Sequence, residues 1–207
     1  MLVERSQNAD GSIVTLTLND PDHRNALSRE MMAAVSEAVT YISNDTQARV
    51  AVLGAKGPAF CAGHDLKELT AHRADEDGGA QFYRDTMQQC SAMMLGIVRC
   101  PKPIIARVQG IATAAGCQLV ASCDLAVATE GSSFITPGVN IGLFCSTPMV
   151  ALSRNVSNKH AMEMLLTGDT TSAQRAEEMG LINRVVAEKD LHATTDALAA
   201  LIASKSS

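Results

Sequence analysis

The hydrophobic pattern changes its period several times early in the chain. Apolar and polar residues alternate over 12–19, which predicts a strand, and residues 2–5 are its expected hairpin partner. A serine cap followed by an apolar stripe at helical spacing predicts a helix over 28–41. The continuous apolar run at 49–54 is typical of a buried strand. The chain therefore begins as a hairpin, a helix and a buried strand.

Residues 104–124 form the stretch around which the rest of the chain is organised. A β-branched run leads through Gly110 into small residues at 114–116 and then into a periodic apolar segment, which predicts strand, tight turn and helix. The first N–H groups of a helix lack internal partners, and the helix dipole attracts negative charge to that end. An oxyanion site can therefore form there. Close packing of the helix against a strand explains the same small residues, and both interpretations stay open.

Strands and helices continue to alternate in the rest of the chain. Further strands are predicted at 124–129 and 181–186, further helices at 80–99, 148–154, 157–167, 172–179 and from about 188, and an irregular segment at 134–146. This alternation favours an α/β fold with a largely parallel sheet. The chain has no G-x-G-x-x-G after a strand and no G-x-x-x-x-G-K-[ST], so these motifs indicate neither dinucleotide nor nucleoside triphosphate binding.

The composition limits the class of protein and its partners. With 207 residues, 46% of them hydrophobic, the chain fits one domain, or one domain and a small appendage, with a sizeable core. The formal charge of −5 and the lack of clustered Lys and Arg argue against nucleic acid as a main partner. No apolar run approaches the ~20 residues that span a membrane. We therefore expect no nucleic acid and no membrane among the partners.

The cysteines and the N-terminus bear on the compartment. Six cysteines lack the paired spacing of a metal site, so buried free thiols in a reducing compartment are expected, and no metal. The first residues do not have the basic start and apolar stretch of a signal peptide. The expected location is cytoplasmic, with the mitochondrial matrix after processing as the alternative.

Several segments, in their order along the chain, resemble the enoyl-CoA hydratase/isomerase (crotonase) superfamily. The matching segments are His23-Arg-Asn-Ala-Leu27, Phe60-Cys-Ala-Gly-His-Asp-Leu66, Pro103-Ile-Ile-Ala106, Gly110-Ile-Ala112, Ala115-Gly-Cys-Gln-Leu119, Cys123-Asp124, Phe134, Leu166-Thr-Gly168, 173–176 and Gly180-Leu181. Within the family, 114–118 and 63–66 resemble the mitochondrial branch named for enoyl-CoA hydratase domain-containing protein 3.

The resemblance implies a crotonase (ClpP-like) spiral of ββα turns that binds acyl-CoA thioesters and assembles as trimers or as hexamers. It also implies further C-terminal helices. We therefore expect residues 1–186 to form the core and 187–207 to begin a truncated C-terminal helical region. Coenzyme A enters as part of the substrate, and no separate cofactor is expected.

The family's chemistry places negative charge on the thioester oxygen, which two backbone N–H groups stabilise. By motif position these donors are His64 and Ala115. Removing one such donor typically costs ~3 kcal/mol of transition-state stabilisation. Alanine at 115 departs from the glycine usual in the family but keeps the N–H. The family varies freely at position 64, so the His64 imidazole is interpreted as a bystander.

The family resemblance also carries over the contacts to CoA and to the acyl group, most of them through the backbone. The residues concerned are His23, Arg24, Ala26, Ala62, Asp65, Leu66, Lys67, Pro137 and Leu143. Arg24 and Lys67 are either phosphate contacts or solvated charges. Asp65 is a CoA contact or, alternatively, the cap of the short helix that follows.

The carboxylates of the family's hydratases are missing from this chain. Gln118 and Gly138 occupy the two glutamate positions, and an amide can orient water but cannot remove its proton. His64, Asp65, Cys145 and Ser146 are the candidate replacements, although neither Cys145 nor Ser146 has a visible base partner.

Two functions follow from this site. One is an acyl-CoA enzyme of the hydratase/isomerase type with a degenerate acid/base pair, and the other is a non-catalytic acyl-CoA-binding or regulatory subunit. If the first holds, restoring both glutamates, at 118 and at 138, is expected to raise the hydration of crotonyl-CoA.

Overall fold

The computed structural model describes residues 1–205, which form two sheets surrounded by helices. The strands are β1 Val3–Gln7, β2 Ile13–Leu18, β3 Val50–Ala55, β4 Ala59–Cys61, β5 Ile104–Val108, β6 Ile111–Thr113, β7 Leu125–Thr129, β8 Ser133–Ile135, β9 Thr171–Ser172 and β10 Arg184–Val186. The larger sheet has the order β1-β2-β3-β5-β7-β10 and the smaller one β4-β6-β8-β9. Only the β1–β2 and β8–β9 pairs of the described strands are antiparallel.

The helices follow the predicted pattern. They are α1 Arg29–Asn44, α2 Leu66–Ala71, α3 Ala80–Val98, α4 Ala115–Ser122, α5 Ser146–Asn155, α6 Asn158–Thr167, α7 Ala173–Met179 and α8 Leu191–Ala203, with 3-10 turns at Pro21–His23, His72–Ala74, Pro137–Ile141 and Glu188–Asp190. The Ser28 hydroxyl accepts a hydrogen bond from the Met31 N–H (3.1 Å), which confirms the serine cap of α1.

The chain winds as a spiral whose turns repeat one plan. β3, β5 and β7 each enter the larger sheet, and β4, β6 and β8 follow them directly into the smaller sheet. A helix then returns the chain to the next turn. The predicted spiral of ββα units and the largely parallel sheet are thereby confirmed.

Two segments differ from the prediction. Residues 104–124 were expected to form a strand, a tight turn and a helix, but the short strand β6 lies between the turn and α4. Residues 134–146 were expected to be irregular, but Phe134 lies in β8 and Pro137–Ile141 form a 3-10 turn. A strand of three residues is too short to show an alternating pattern, so hydrophobic periodicity cannot reveal it.

The core lies on both faces of the larger sheet. Its central strands β3 and β5 are buried almost throughout, as parallel strands covered on both faces are. α8 covers one face, where Leu191, Leu198 and Ala199 pack on apolar side chains of β3, β5 and β7. Residues 206 and 207 lie outside the described residues, and the division into a core and a C-terminal region stays a prediction.

Candidate active site

The start of α4 is packed tightly against β4. A Cβ atom added at Gly116 would overlap the carbonyl oxygen of Cys61 and lie 2.9 Å from the Cys61 Cβ. No side chain larger than hydrogen therefore fits at position 116. The packing interpretation of the small residues at 114–116 is confirmed for Gly116.

The same contact brings two free backbone donors into one place. A Cβ added at Gly63 would lie 3.4 Å from the Ala115 nitrogen and 2.9 Å from the Thr113 oxygen, so the segments before His64 and Ala115 touch. Neither the His64 N–H nor the Ala115 N–H has a hydrogen-bond acceptor between residues 1 and 205. Two backbone donors without acceptors therefore lie in adjoining segments.

The residue before the second donor carries backbone strain. Ala114 has φ +51° and ψ −117°, a region that is populated almost only by glycine. Its own N–H donates to the Ile135 oxygen (2.8 Å) and its oxygen accepts from the Gln118 N–H (3.1 Å). The backbone of β8 and of α4 thus holds Ala114 in this conformation, which directs the chain from β6 into the helix.

We expect Ala114→Gly to raise the free energy of unfolding by about 1 kcal/mol. Relief of the strain, on the order of 1–3 kcal/mol, exceeds the roughly 1 kcal/mol that a more flexible unfolded chain costs. Ala115→Gly is the matched control, because Ala115 lies in the helix. This substitution should lower the free energy of unfolding by about 0.5 kcal/mol. Urea denaturation measures the free energy of unfolding of both variants. A loss of stability in both would contradict the backbone strain assigned to Ala114.

The predicted CoA segments around residues 23–27 and 61–66 lie side by side. The Leu27 N–H donates to the Gly63 oxygen (2.7 Å), and the Ala62 N–H donates to the Arg24 oxygen (3.0 Å). His23 and Arg24 are exposed, and Ala26 is buried beside them. The structure therefore brings these two segments together.

The buried side chain of Asn25 fixes the backbone around residues 23–27. This role was not predicted from the sequence. It is fully buried at φ +53°, and its Nδ2 donates to the oxygens of Lys56 and Ala59, both at 2.9 Å. Its Oδ1 accepts from the Asp20 N–H (2.9 Å). The available signal was the residue type, since asparagine tolerates positive φ and bonds to nearby backbone.

Asp65 acts as the cap of α2. Its Oδ1 accepts from the N–H groups of Lys67 (2.8 Å) and Glu68 (3.2 Å). The alternative interpretation of Asp65 is thus confirmed, and its carboxylate is engaged as a cap. Leu66 and Lys67 are exposed, and Lys67 forms no ion pair within the described chain.

His64 is partly exposed, but both nitrogens of its ring are buried. Neither ring nitrogen makes a hydrogen bond of regular geometry within residues 1–205, and the Leu27 backbone is the nearest polar group that affects the ring. Burial lowers the pKa of His64 below its usual 6.5, and the Leu27 backbone acts in the opposite direction. The imidazole is therefore neutral at pH 7 and able both to donate and to accept a hydrogen bond.

Gln118 lies one turn along α4 from Ala115 and faces a groove between α3, α4 and α5. The residue is only 6% exposed, and its Oε1 has no hydrogen-bond partner among residues 1–205. The groove has a volume of about 620 Å³. Its walls combine apolar side chains with polar and charged ones, namely Met94, Leu95, Ala121, Val150, Ser91, Asp124, Thr147, Arg154 and Asn155. Gln118 thus borders a groove formed by α3, α4 and α5, and neither His64 nor Ala115 is among the residues that line it.

The space beside Gly138 is occupied. A Cβ added there would overlap the Leu143 oxygen and lie 2.7 Å from the Cys145 Sγ. The Leu143 N–H donates back to the Gly138 oxygen (2.8 Å), which closes the loop after the 3-10 turn that begins at Pro137. Cys145 is buried in this loop, whereas Leu143 and Ser146 are exposed. No side chain can enter the site from position 138 unless this loop moves.

The cysteines near the site are buried thiols. Burial raises the pKa of Cys61 and of Cys117 to about 12 and that of Cys90 to about 11. All six cysteines are free, and only Cys100 is partly exposed. Cys61, Cys90 and Cys117 thus stay protonated at neutral pH and are poor nucleophiles.

The chain and its fold match one family throughout. A sequence model of the enoyl-CoA hydratase/isomerase family matches residues 8–207. The chain belongs to this family. It is 48% identical over 194 residues to the mitochondrial enoyl-CoA hydratase domain-containing protein 3 of Homo sapiens and, equally, to that of Mus musculus. The matches cover 94% of this chain and 62% and 63% of those relatives, so the chain spans less than two thirds of their length.

Solved structures agree with this family assignment. The crystal structure of an enoyl-CoA hydratase from Mycobacterium smegmatis has a TM-score of 0.93 at 51% identity, covering 99% of this chain and 77% of that one. Human enoyl-CoA hydratase domain-containing protein 3 has a TM-score of 0.91 at 46% identity, covering 99% and 78%. The predicted crotonase fold and the predicted resemblance to that mitochondrial branch are both confirmed.

Two further observations concern membrane-spanning helices and metal-binding groups. None of the helices within residues 1–205 is both long and apolar enough to cross a membrane. In the same part of the chain, no group of three or more His, Cys, Asp and Glu side chains is arranged to hold a metal ion.

Proposed function

We propose that this hydratase-like domain binds acyl-CoA thioesters and stabilises negative charge on the thioester oxygen through the N–H groups of His64 and Ala115. The observation that carries the proposal is the pair of unpartnered donors at adjoining positions. Such preorganised donors stabilise an enolate or a tetrahedral adduct at little reorganisation cost. Membership of the enoyl-CoA hydratase/isomerase family supports the substrate class.

The groove beside Gln118 suits the acyl chain. Most of its exposed lining is apolar, Asp124 and Arg154 also border it, and its volume of about 620 Å³ lies in the range of small-molecule sites. The CoA moiety would lie along the paired segments at 23–27 and 61–67, with the exposed Arg24 and Lys67 near its phosphates. Pro137 and Leu143 would border the acyl group, as the family resemblance implies.

The reaction is limited by the groups available for proton transfer. Gln118 carries no charge, and position 138 has neither a side chain nor room for one. We therefore propose an enzyme of the hydratase/isomerase type whose usual acid/base pair is replaced. These same two positions favour the second candidate, a non-catalytic acyl-CoA-binding or regulatory subunit.

Calorimetry with two matched ligands tests the proposal. Butyryl-CoA carries the thioester carbonyl, and S-butyl-CoA is the thioether that lacks only that oxygen. We expect butyryl-CoA to bind about tenfold more tightly, because two donors lose their acceptor in the thioether complex. Equal affinities would contradict the role of the two N–H groups, and no binding of either ligand would refute acyl-CoA recognition.

Turnover separates the two candidate functions. A chain that binds butyryl-CoA but converts no member of a panel of saturated, unsaturated and hydroxylated acyl-CoA thioesters is a binding subunit. Formation of any product by the chain identifies an enzyme.

The remaining features follow the family and stay proposals. Assembly into trimers or hexamers is one of them, and sedimentation velocity measures it directly. No separate cofactor enters the proposal, since CoA comes with the substrate. The relatives named as mitochondrial support the matrix as the compartment, and they lend no support to the cytoplasmic prediction.

A further inference from the structure

We infer that Asn25 is a positioning residue for the two backbone donors, because its buried carboxamide fixes the turn that orients the His64 N–H. The inference rests on the proposed function, which places the thioester oxygen at the N–H groups of His64 and Ala115. Asn25 is fully buried, so it cannot touch a ligand itself. It acts instead through the backbone of Leu27 and Gly63.

Leu27 sets the direction of the peptide unit that joins Gly63 to His64. Its N–H donates to the Gly63 oxygen (2.7 Å), and its oxygen accepts from the Asp65 N–H (3.4 Å). A peptide unit is planar and trans, so its N–H points away from the group that its carbonyl binds. The His64 N–H therefore points away from Leu27, toward the edge along which β4 pairs with β6 and the chain enters α4.

The bond from Leu27 also makes the His64 N–H a stronger donor. Hydrogen bonds that follow one another through peptide units polarise each other, so an amide whose carbonyl is engaged donates more strongly. The unit before Ala115 has the same arrangement, since the Ala114 oxygen accepts from the Gln118 N–H (3.1 Å). Each of the two donors is thus the free end of a hydrogen-bonded chain.

The Asn25 carboxamide holds Leu27 in the place that this bond requires. Arg24 and Asn25 are consecutive residues at positive φ (+52° and +53°), a conformation that residues other than glycine adopt at a cost. Of the three hydrogen bonds of the carboxamide, one ends on the oxygen of Ala59, the first residue of β4. The side chain therefore ties the turn before Leu27 to the strand that leads to Gly63.

Calorimetric titration of two variants of the full chain with butyryl-CoA and S-butyl-CoA tests the inference. Asn25→Gly keeps the positive φ and removes all three side-chain bonds, whereas Asn25→Asp keeps the shape of the side chain and can donate at most one hydrogen bond. We expect the roughly tenfold preference of the wild type for the thioester to fall below about threefold in Asn25→Gly and to an intermediate value in Asn25→Asp. The ratio of the two affinities is the readout, because a loss of contacts to CoA weakens both ligands alike.

The infrared spectrum of bound butyryl-CoA, isotope-labelled at the carbonyl carbon, provides a second readout. Hydrogen bonds from preorganised donors lower the stretching frequency of the carbonyl. Asn25→Gly should lose at least about half of the shift that the wild type produces, because a turned peptide unit no longer directs its N–H at the oxygen. A role in stability alone would not change this shift.

Asn183→Ala is the matched control. The Asn183 Oδ1 accepts from the Ala126 N–H (2.8 Å) in β7, so this variant also loses a side-chain bond to the backbone, but in the larger sheet. It should lower stability and leave the affinity ratio and the infrared shift unchanged. Variants of Asn25 that are less stable yet keep the wild-type ratio and shift would overturn the inference. Equal binding of the two ligands by the wild type, or no binding of either, would instead refute the proposed function.

Discussion

Gly116→Ala is expected to lower the free energy of unfolding by about 3 kcal/mol or more and to abolish the binding of butyryl-CoA. The added Cβ would overlap the Cys61 oxygen, and it would lie 2.9 Å from both the carbonyl carbon and the Cβ of Cys61. Both partners are backbone segments fixed by β4–β6 pairing and by α4, so neither can move cheaply. Overpacking of this kind costs about 1–3 kcal/mol even where side chains can adjust.

Gly96→Ala provides the matched control. Gly96 also lies within a helix, α3, but a Cβ there meets no atom within 4 Å. Alanine should stabilise this position by about 0.5–1 kcal/mol, since it is the better helix former. Guanidinium denaturation and calorimetry measure both variants, and similar stabilities would contradict the close approach of α4 to β4.

The displacement of α4 also explains why ligand binding should be lost. Ala115 precedes Gly116, and its N–H adjoins the His64 segment through Gly63. A shift of about 1 Å separates the two donors and misaligns them with a common acceptor, which is enough to weaken hydrogen bonds steeply. Stability and function thus depend on the same contact.

The order of the elements followed from the sequence because its signals are local. Residues 104–108 form a strand as predicted, and α4 begins at Ala115, within the predicted range. Serine caps fixed the starts of α1 and α7, and Gly180 fixed the end of α7. Each of these signals is a short-range rule of capping or periodicity.

The parts that could not be predicted depend on contacts between distant residues. The short strands of the smaller sheet show no period, and their partners are far away in the chain. Whether Asp65 caps a helix or faces a ligand is decided by backbone geometry. The loop that fills the space at Gly138 is likewise invisible in a pattern of residue types.

That loop changes one expectation from the sequence. Restoring both family glutamates was expected to raise hydration, yet a side chain at position 138 would overlap the Leu143 oxygen. Gly138→Glu is therefore expected to displace the loop and lower stability rather than supply a catalytic carboxylate. Only position 118 has a groove into which a carboxylate can project.

Gln118→Glu alone is accordingly expected to raise the rate of crotonyl-CoA hydration by about 10²-fold over the wild type. A positioned general base contributes about 10²–10⁴-fold, and this chain would regain one of the family's two carboxylates. Residue 118 is only 6% exposed, so desolvation should raise the pKa of the introduced carboxyl above its usual ~4.3. Hydration should then increase with pH as this base loses its proton. Loss of crotonyl-CoA absorbance measures the rate.

The same substitution makes a linked prediction about stability. Because the folded state favours the protonated carboxyl, the variant should match the wild type most closely below about pH 4.3 and lose stability relative to it as the pH rises. Gln118→Met, which adds no titrating group, should show no such pH-dependent difference. The double variant Gln118→Glu/Gly138→Glu should hydrate crotonyl-CoA no faster than Gln118→Glu alone. Its melting temperature should be lower. A wild type that already hydrates crotonyl-CoA like a competent hydratase would show that proton transfer does not need a carboxylate at position 118.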